Sequence, residues 1–289
     1  MSHKAKEMIS YAILVSISLI FIFPLIITVT NSFVTEMEIG LNYTTKLSLF
    51  DVLDQVSENF ISMNIIPSQF SFGQYKEVLI NQPSFIILLM NSIKITVPVV
   101  IGNLVISLLS AYAFTIWEWK YKEVLFFVYV IVMLMPLQAV LVPNYIIAEQ
   151  LNIKESYLAI ILPGIFSPFG TFLLRQGLKN MPMEYFEAAQ IDGANKIQVL
   201  VYIVLPQMKS GIAALTMLTF IEYWNLVEQA IIFIKDYYKE PLSVFLSRIA
   251  DGNIGVIFAA SCIYMFLPFW FLIVGQKNLE KGIELSGIK

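Results

Sequence analysis

The chain has 289 residues, of which 58% are hydrophobic and 13% are charged, and its formal net charge is −3. This composition excludes a typical soluble domain, and the scattering of the 18 Lys and Arg residues excludes a basic face for nucleic acid. The single cysteine, Cys262, excludes a disulfide within the chain, and the single histidine, His3, leaves no histidine cluster for a metal ion. Several apolar runs exceed the roughly 18 residues that indicate a membrane-spanning helix. We therefore predict an all-α polytopic membrane protein.

Six apolar stretches predict six transmembrane helices. The first follows a short basic N-terminus, is longer than the apolar region of a signal peptide and lacks a small-residue cleavage site, so we predict an uncleaved span. Four prolines in and around the third and fourth spans predict kinks, which either serve helix packing or lie beside a cavity. These prolines are Pro136, Pro143, Pro163 and Pro168. The predicted spans are residues 9–33, 85–116, 123–143, 156–174, 211–234 and 255–275.

The spans divide the chain into four predicted parts. These are a tail with the first span (1–33), an external segment (34–84), a core with five spans (85–275) and a cytoplasmic tail (276–289). In the external segment, apolar residues recur at helical spacing and predict one amphipathic helix. These apolar residues are Leu49, Leu53, Val56 and Phe60. Three placements stay open for this helix: on the bundle, on the outer membrane interface, or against an external partner.

Positive charges near the span ends predict the orientation of the chain. With the N-terminus inside, eleven Lys and Arg residues fall on the inner side and six on the outer side, while Lys94 lies within the second span. Inner loops are enriched in these residues, so we predict that both termini are cytoplasmic. The inner residues are Lys4, Lys6, Lys120, Lys122, Arg175, Lys179, Lys196, Lys209, Lys277, Lys281 and Lys289, and the outer ones are Lys46, Lys76, Lys154, Lys235, Lys239 and Arg248.

The loop at about residues 181–210, between the fourth and fifth spans, is thereby predicted to be cytoplasmic. Its pattern indicates a helix, a turn and a second helix. Glu184 and Glu187 follow Pro182 in a first helical turn, where the helix dipole favours acidic groups. Asp192-Gly193 predicts the turn, since glycine readily takes positive φ.

The second helix of this loop is predicted to begin at Asn195, which could cap it, and to stop before or at Pro206. A short helix with an acidic tip and small residues such as Ala188 and Ala189 has a shape that fits a groove on a soluble partner. The alternative is an amphipathic hairpin that lies on the membrane interface and only links two spans.

Three short motifs in this loop resemble the EAA loop of ABC-transporter permease subunits. They are Glu187-Ala188-Ala189, Asp192-Gly193-Ala194 and Leu205-Pro206. Further segments resemble the carbohydrate-uptake branch of that family, which depends on a binding protein and includes the maltose transporter. These segments are residues 70–75, 91–98 and 167–182, Tyr223-Trp224-Asn225 and the C-terminal tail. The resemblance extends over residues 67–289.

The resemblance implies the fold of a type I ABC importer, with six transmembrane helices and a cytoplasmic coupling helix that docks on an ATPase subunit. It also implies two ATP-binding subunits carrying ATP and Mg²⁺, a second and non-identical permease, an external solute-binding protein and a location in the cell membrane. The chain itself has no phosphate-binding G-x-x-x-x-G-K-[ST] stretch, so we expect it to bind no cofactor and to catalyse no reaction. The expected coupling residues are Glu184, Glu187, Ala188, Ala189, Asp192, Gly193, Ala194, Leu205 and Pro206.

Polar and aromatic residues inside the spans are candidates for the substrate pathway, because lipid disfavours polar groups. These candidates are Asn91, Asn103, Glu222, Tyr223, Trp224 and Asn225. Lys94 and Glu228 either join them or extend to the membrane interface. The expected substrate is an oligosaccharide or related sugar, and the alternative is a polyol or a glycerol-phosphate-type solute.

Two other classes of protein are alternatives to the importer. A stand-alone channel or secondary transporter would need no docking loop and would show inverted repeats. An intramembrane enzyme would need a catalytic cluster within the spans, and the only histidine lies in the N-terminal tail.

Overall fold

The structure, a computed structural model, describes residues 3–43, 66–248 and 254–285. The predicted amphipathic helix around residues 49–60 lies outside these ranges. The helices are α1 (His3–Asn31), α2 (Glu36–Tyr43), α3 (Gly73–Lys76), α4 (Pro83–Ile116), α5 (Lys122–Met133), α6 (Leu137–Gln150), α7 (Leu158–Ile165), α8 (Pro168–Lys179), α9 (Glu184–Ile191), α10 (Lys196–Val199), α11 (Leu205–Gln207), α12 (Lys209–Trp224), α13 (Glu228–Phe233), α14 (Leu242–Ser247) and α15 (Ile254–Leu285). No strand occurs within the described ranges.

Four stretches of helix are long and apolar enough to cross a membrane, and two bent helix pairs raise the number to six if each pair is one span. The four are Glu7–Asn31, Pro83–Ile116, Leu158–Lys179 and Ile254–Lys277. The pairs are α5 with α6, bent by 103°, and Lys196–Gln207 with α12, bent by 77°. This count agrees with the six predicted spans.

Two predicted spans differ most from the structure in their course and boundaries. The stretch predicted as 123–143 breaks at Leu134–Pro136, because proline cannot donate the backbone hydrogen bond that would continue α5. The stretch predicted as 211–234 ends at Trp224. The side chain and backbone N–H of Asn225 both donate to the Ile221 carbonyl, at 2.9 and 3.2 Å, and this closes α12 before the short α13 begins.

The chain divides into two compact units, Met1–Ile86 with Arg248–Phe266 and Ile87–Ser247 with Leu267–Lys289. In the first unit, the segment after residue 66 folds onto the end of α1. The Phe33 and Phe70 rings stack at 4.5 Å between centroids, and Ser71 N–H donates to the Phe33 carbonyl at 2.8 Å. Glu38 accepts hydrogen bonds from the backbone and the hydroxyl of Ser68, at 3.1 and 2.9 Å.

The second unit has two apolar clusters. One joins α4, α6, α7, α12, α13 and α14 through residues such as Val99, Ile160 and Phe233. The other joins α4, α8 and α12 to the loop predicted to couple, through residues such as Leu174 and Leu215. The second cluster is the one that positions the candidate site.

A side chain of α4 stabilises the break between α7 and α8. Pro168 has no N–H for the Gly164 carbonyl, and the Asn103 amide instead donates to the Gly164 and Ile165 carbonyls, at 3.2 and 3.3 Å. Gly170 lies so close to Asn103 and Ser107 that a Cβ would overlap with their side chains. The kink predicted at Pro168 is therefore present, and α8 packs closely against α4 beside it.

Candidate functional site

The loop at about residues 181–210, which is predicted to couple the chain to an ATPase subunit, begins with the eight-residue helix α9. This helix ends in a glycine turn. Gly193 has φ +75°, and the N–H groups of Gly193 and Ala194 donate to the Gln190 and Ala189 carbonyls, at 3.1 and 2.9 Å. These two bonds make up a Schellman motif, which closes a helix and reverses the chain. The turn expected at Asp192-Gly193 is thus in the structure, and glycine supplies its left-handed conformation without steric cost.

Asn195 caps the next helix through a reciprocal pair of hydrogen bonds. Its side-chain oxygen accepts from the Gln198 backbone at 2.9 Å, while the Gln198 side chain accepts from the Asn195 backbone at 2.8 Å. This capping box satisfies donors that the first turn leaves free. The cap expected at Asn195 is therefore present, and the connection between α9 and α10 is short and well defined.

The chain after α10 continues through a π-helical stretch, Leu200–Val204, into Leu205-Pro206. In a regular α-helix the Pro206 ring would clash with the Tyr202 carbonyl four residues earlier, and the wider turn relieves that clash. The chain bends again between Gln207 and Lys209, where α12 begins. The Leu205-Pro206 motif therefore lies at the junction between the loop and the following span.

One face of the loop is anchored in the second apolar cluster. Phe186 and Ala189, three residues apart on α9, are 3% and 6% exposed. The same cluster also contains Val199, Val204 and Met208 of the loop, together with residues of α4, α8 and α12. Since buried aromatic and aliphatic side chains supply most of the packing free energy, α9 is fixed to three membrane-spanning segments.

The opposite face of the loop is exposed. Glu184, Glu187, Ala188 and Asp192 are all exposed, and Ile191 is 87% exposed. Exposed apolar side chains also surround the turn; these are Met183, Tyr185, Ile197 and Tyr202. Carboxylates and bulky apolar groups on one short helix make a surface suited to protein docking.

A shallow cleft of about 470 Å³ runs along this exposed face. Its lining includes Tyr185, Ala188, Asp192, Gly193 and Tyr202. Ala188 and Gly193 have little side-chain volume, so a partner's backbone can approach closely at this point. The structure thus brings together the EAA and DGA motifs beside one cleft, while Leu205 and Pro206 are outside its lining and precede α12 in the chain.

The candidates for the substrate pathway fall into two groups. Asn91, Asn103, Tyr223 and Trp224 are buried. The Asn91 amide donates to the Tyr238 and Glu240 carbonyls at 2.7 and 3.1 Å, which ties α4 to the segment before α14.

The two aromatic candidates pack inside the second unit. The hydroxyl group of Tyr223 lies against Gly164 of α7, and Trp224 stacks on Phe220 at 5.3 Å between ring centroids. These contacts give each of the buried candidates a role in helix packing.

Glu222 and Asn225 form the second group and are exposed, three residues apart at the end of α12. Glu228, which begins α13, is also exposed and accepts a hydrogen bond from the Gln138 side chain at 3.0 Å. Polar groups on an apolar helix avoid lipid, so these are the side chains available to a polar pathway. Gln138 was not predicted, because only the structure brings the start of α6 to the start of α13.

A second feature that the sequence did not indicate is the position of Arg175. The sequence places it among the loop cations, but it is 1% exposed, within α8. Its guanidinium donates to Glu123 at 2.5 Å and to the Phe114 carbonyl at 3.3 Å, and it lies 3.7 Å from the centre of the Phe126 ring. Arg175 therefore joins α8 to α4 and α5, just before the chain enters the candidate site.

The chain matches a protein family over residues 103–284, from the middle of α4 to the end of α15. The family is described as "Binding-protein-dependent transport system inner membrane component". The chain belongs to this family. It is accordingly a membrane subunit of a transport system that depends on a binding protein, which confirms the predicted permease class.

Curated relatives support this assignment over most of the chain. The polygalacturonan/rhamnogalacturonan transport system permease protein YtcP of Bacillus subtilis (strain 168) is 28% identical, with 100% of both chains covered. The sn-glycerol-3-phosphate transport system permease protein UgpE of Yersinia enterocolitica is 33% identical over 70% of this chain and 74% of its own. The arabinooligosaccharides transport system permease protein AraQ of Halalkalibacterium halodurans is 24% identical, covering 84% of this chain and 88% of its own.

A solved structure confirms the predicted fold. It is a bacterial ABC transporter involved in the import of the acidic polysaccharide alginate, and its matching chain has a TM-score of 0.77 at 22% identity. The match covers 96% of this chain and 98% of that one. The predicted all-α fold of an ABC importer permease is thus found over nearly the whole length.

Proposed function

We propose that this permease forms one half of the translocation pathway of an ATP-driven importer and that the loop at residues 181–210 couples it to an ATPase subunit. The observation that carries the proposal is the two-sided character of α9. Its inner face, with Phe186 and Ala189, is buried against the spans, while its outer face, with Glu187 and Ala188, is exposed. A helix of this kind can transmit a movement of its partner directly to the membrane helices.

The same proposal includes the partners. Two ATP-binding subunits, which carry ATP and Mg²⁺, close on each other and move the docked loops, and the spans then change from inward-open to outward-open. A second, non-identical permease completes the pathway, an external solute-binding protein delivers the substrate, and no nucleic acid takes part. Both chain termini and the coupling loop lie on the cytoplasmic side of the cell membrane, as the distribution of Lys and Arg predicts.

Within the docking surface, Glu187 is the proposed polar contact and Gly193 the residue that fixes the turn. Glu187→Ala is expected to weaken docking by about 1–3 kcal/mol if a charge-assisted hydrogen bond is lost. Ala188 and Ala194 allow a partner to approach closely, Ala189 holds α9 against the spans from its buried face, and Glu184 and Asp192 add negative charge at the two ends of α9.

We propose a carbohydrate as the substrate, an oligosaccharide or related sugar. The names of the curated relatives give polygalacturonan/rhamnogalacturonan, arabinooligosaccharides and sn-glycerol-3-phosphate as what their transport systems carry. In this chain the exposed polar groups near the end of α12 are Glu222, Asn225 and Glu228, two carboxylates and an amide. Carboxylates repel an anionic substrate and accept hydrogen bonds from hydroxyl groups, so a neutral sugar fits better than a sugar acid or a phosphate ester.

Glycerol phosphate or a polyol remains the second candidate substrate. The observation that favours glycerol phosphate is Lys94, an exposed cation within the apolar span of α4. A lysine at such a position could pair with a phosphate group. A stand-alone channel or secondary transporter would leave the docking surface around α9 without a function.

The coupling proposal can be tested by affinity purification of the tagged chain in mild detergent, followed by mass spectrometry of its partners. Wild type is compared with a variant that combines Glu187→Ala and Gly193→Val. The matched control is Glu36→Ala, which removes an exposed carboxylate from the first turn of another eight-residue helix, α2.

Wild type and the control are expected to retain an ATP-binding subunit and a second permease, and the double variant is expected to lose the ATP-binding subunit while keeping the permease. Isolation of the chain alone, or as a homo-oligomer that the variant does not change, would contradict the proposal. The substrate is then sought by measuring ATP hydrolysis of the reconstituted complex with neutral oligosaccharides, uronate oligosaccharides and glycerol phosphate in separate assays.

A further inference from the structure

A second cavity lies beside the proposed coupling loop, where Phe186 of the buried face of α9 is among its lining residues. It has a volume of about 620 Å³ between the end of α4 and the helices α9 and α10. Its lining residues are mainly aromatic and aliphatic, and they include one lysine, Lys196. Tyr112 closes one side, where its hydroxyl donates to the Lys196 carbonyl at 3.0 Å.

The cavity lies at the end of an apolar span, next to a turn rich in aromatic and charged residues. The apolar span of α4 ends at Ile116, and exposed apolar side chains resume on α5 at Val124 and Leu125. The intervening residues 117–123 read Trp-Glu-Trp-Lys-Tyr-Lys-Glu, in which exposed aromatic and charged groups alternate. Tryptophan and tyrosine with adjacent lysines are typical of the lipid headgroup level. The residues beside the cavity are thus of the types found at the lipid headgroup level.

The charges at the cavity are favourable for an anion. The Lys196 ammonium lies 4.4 Å from the centre of the Trp117 ring, and within the described part of the chain no carboxylate pairs with it. Glu118, the one acidic residue in the lining, is 90% exposed and is paired with Lys122 at 3.2 Å. Lys120, in the same turn, is exposed. Lys196 together with the turn at residues 117–123 has three lysines and two glutamates, a local excess of one positive charge in a chain whose net charge is −3.

We propose that this cavity binds an anionic phospholipid of the cytoplasmic leaflet, with one acyl chain inside it and the phosphate at Lys196. The apolar walls fit a hydrocarbon chain, the ammonium fits the phosphate, and Gln190 offers an amide to the headgroup. A free phosphate would satisfy only the lysine and would leave the aromatic walls without an occupant. The proposal rests on the proposed function in one respect, namely that the loop faces the cytoplasm.

The bound lipid would act on the coupling loop itself. Phe186, Gln190 and Ala194 line the cavity and also belong to α9 and its closing turn. An acyl chain packed behind α9 supports the position in which its outer face is exposed for docking. Transport would then depend on the anionic lipid content of the membrane, without any change in the docking contacts.

The experiment uses the whole transport complex in nanodiscs, one set of phosphatidylcholine alone and one containing phosphatidylglycerol. Native mass spectrometry counts the lipids that the complex retains and reports its subunit composition in the same spectrum. Lys196→Gln removes the charge, Ala113→Leu fills the cavity without a change of charge, and Lys179→Gln removes an exposed lysine that does not line the cavity. A further sample receives inorganic phosphate as a competitor.

Wild type and Lys179→Gln are expected to retain a phosphatidylglycerol molecule with about fivefold higher occupancy than Lys196→Gln, and Ala113→Leu is expected to lose it as well. Equal retention in wild type and both cavity variants would overturn the proposal. If inorganic phosphate displaced the lipid and Ala113→Leu still retained it, the cavity would be a simple anion site, and this would also overturn the proposal. If the complex retained the lipid only after loss of the ATP-binding subunit, the cavity would be the contact site of that subunit, and the proposal would be overturned too. A missing ATP-binding subunit in wild type would instead contradict the proposed function.

Discussion

Arg175 and Glu123 form an ion pair of 2.5 Å between a buried guanidinium and a carboxylate that is 65% exposed. The pair joins the helix before the coupling loop to the first turn of α5. We expect Glu123→Ala to lower the free energy of unfolding by about 1–3 kcal/mol, because it leaves a buried donor without its acceptor.

The matched control for this pair is Glu118→Ala. Glu118 also pairs with a cation, Lys122 at 3.2 Å, but its side chain is 90% exposed, so its loss should cost about 0.5 kcal/mol or less. The stability of both variants is measured by thermal unfolding of the purified complex, with the loss of its native fluorescence as the signal. Equal destabilisation by the two substitutions would show that burial of Arg175 does not strengthen the pair.

The conformation of Gly193 leads to a second prediction. At φ +75° a side chain is strained, and a Cβ placed there meets no atom within 4 Å, so any effect comes from the backbone alone. Gly193→Val should therefore destabilise the turn by about 1–2 kcal/mol, whereas Gly193→Asn should be tolerated, since asparagine adopts this conformation more readily.

The measurement for Gly193 is the amount of ATP-binding subunit that copurifies with each variant. We expect Gly193→Val to reduce it and Gly193→Asn to keep it close to the wild-type level. If both variants keep the subunit, the Schellman turn is not needed for docking and the contact must depend on α9 alone.

The sequence predicted the local structure of the loop at residues 181–210 better than it predicted the spans, and the reason is physical. The end of α9 and the cap of α10 are decided by neighbouring residues, Gly193 and Asn195, so local patterns suffice. The bend at Pro136 was expected as a kink, but its angle of 103° depends on tertiary packing. Arg175 resembled an ordinary loop cation, because its partner Glu123 lies 52 positions away.

The Asn103 amide leads to a third prediction, on the stability of the broken span. Because it donates to the Gly164 and Ile165 carbonyls across the bundle, Asn103→Ala should lower the free energy of unfolding by about 1–3 kcal/mol. Asn103→Asp should be no more stable than Asn103→Ala, since a carboxylate cannot donate to a carbonyl. Thermal unfolding checks both variants, and wild-type stability of Asn103→Ala would mean that water or another group replaces the amide.

Glu222 provides the opposite case, an exposed residue whose change should affect transport and not stability. Exposed substitutions usually change the free energy of unfolding by about 0.5 kcal/mol or less, so Glu222→Gln should unfold like wild type. If its carboxylate faces the pathway, the amide should weaken the transport of a neutral sugar and reduce the exclusion of anionic ones.

The measurement for Glu222 is the uptake of labelled neutral and anionic oligosaccharides into proteoliposomes that contain the whole complex. The control is Glu149→Gln, which changes an exposed carboxylate paired with Lys154 at 3.1 Å and far along the chain from α12. We expect the ratio of neutral to anionic uptake to fall in Glu222→Gln and to stay constant in Glu149→Gln. An unchanged ratio in both would place Glu222 outside the pathway and leave Asn225 and Glu228 as the polar groups to test.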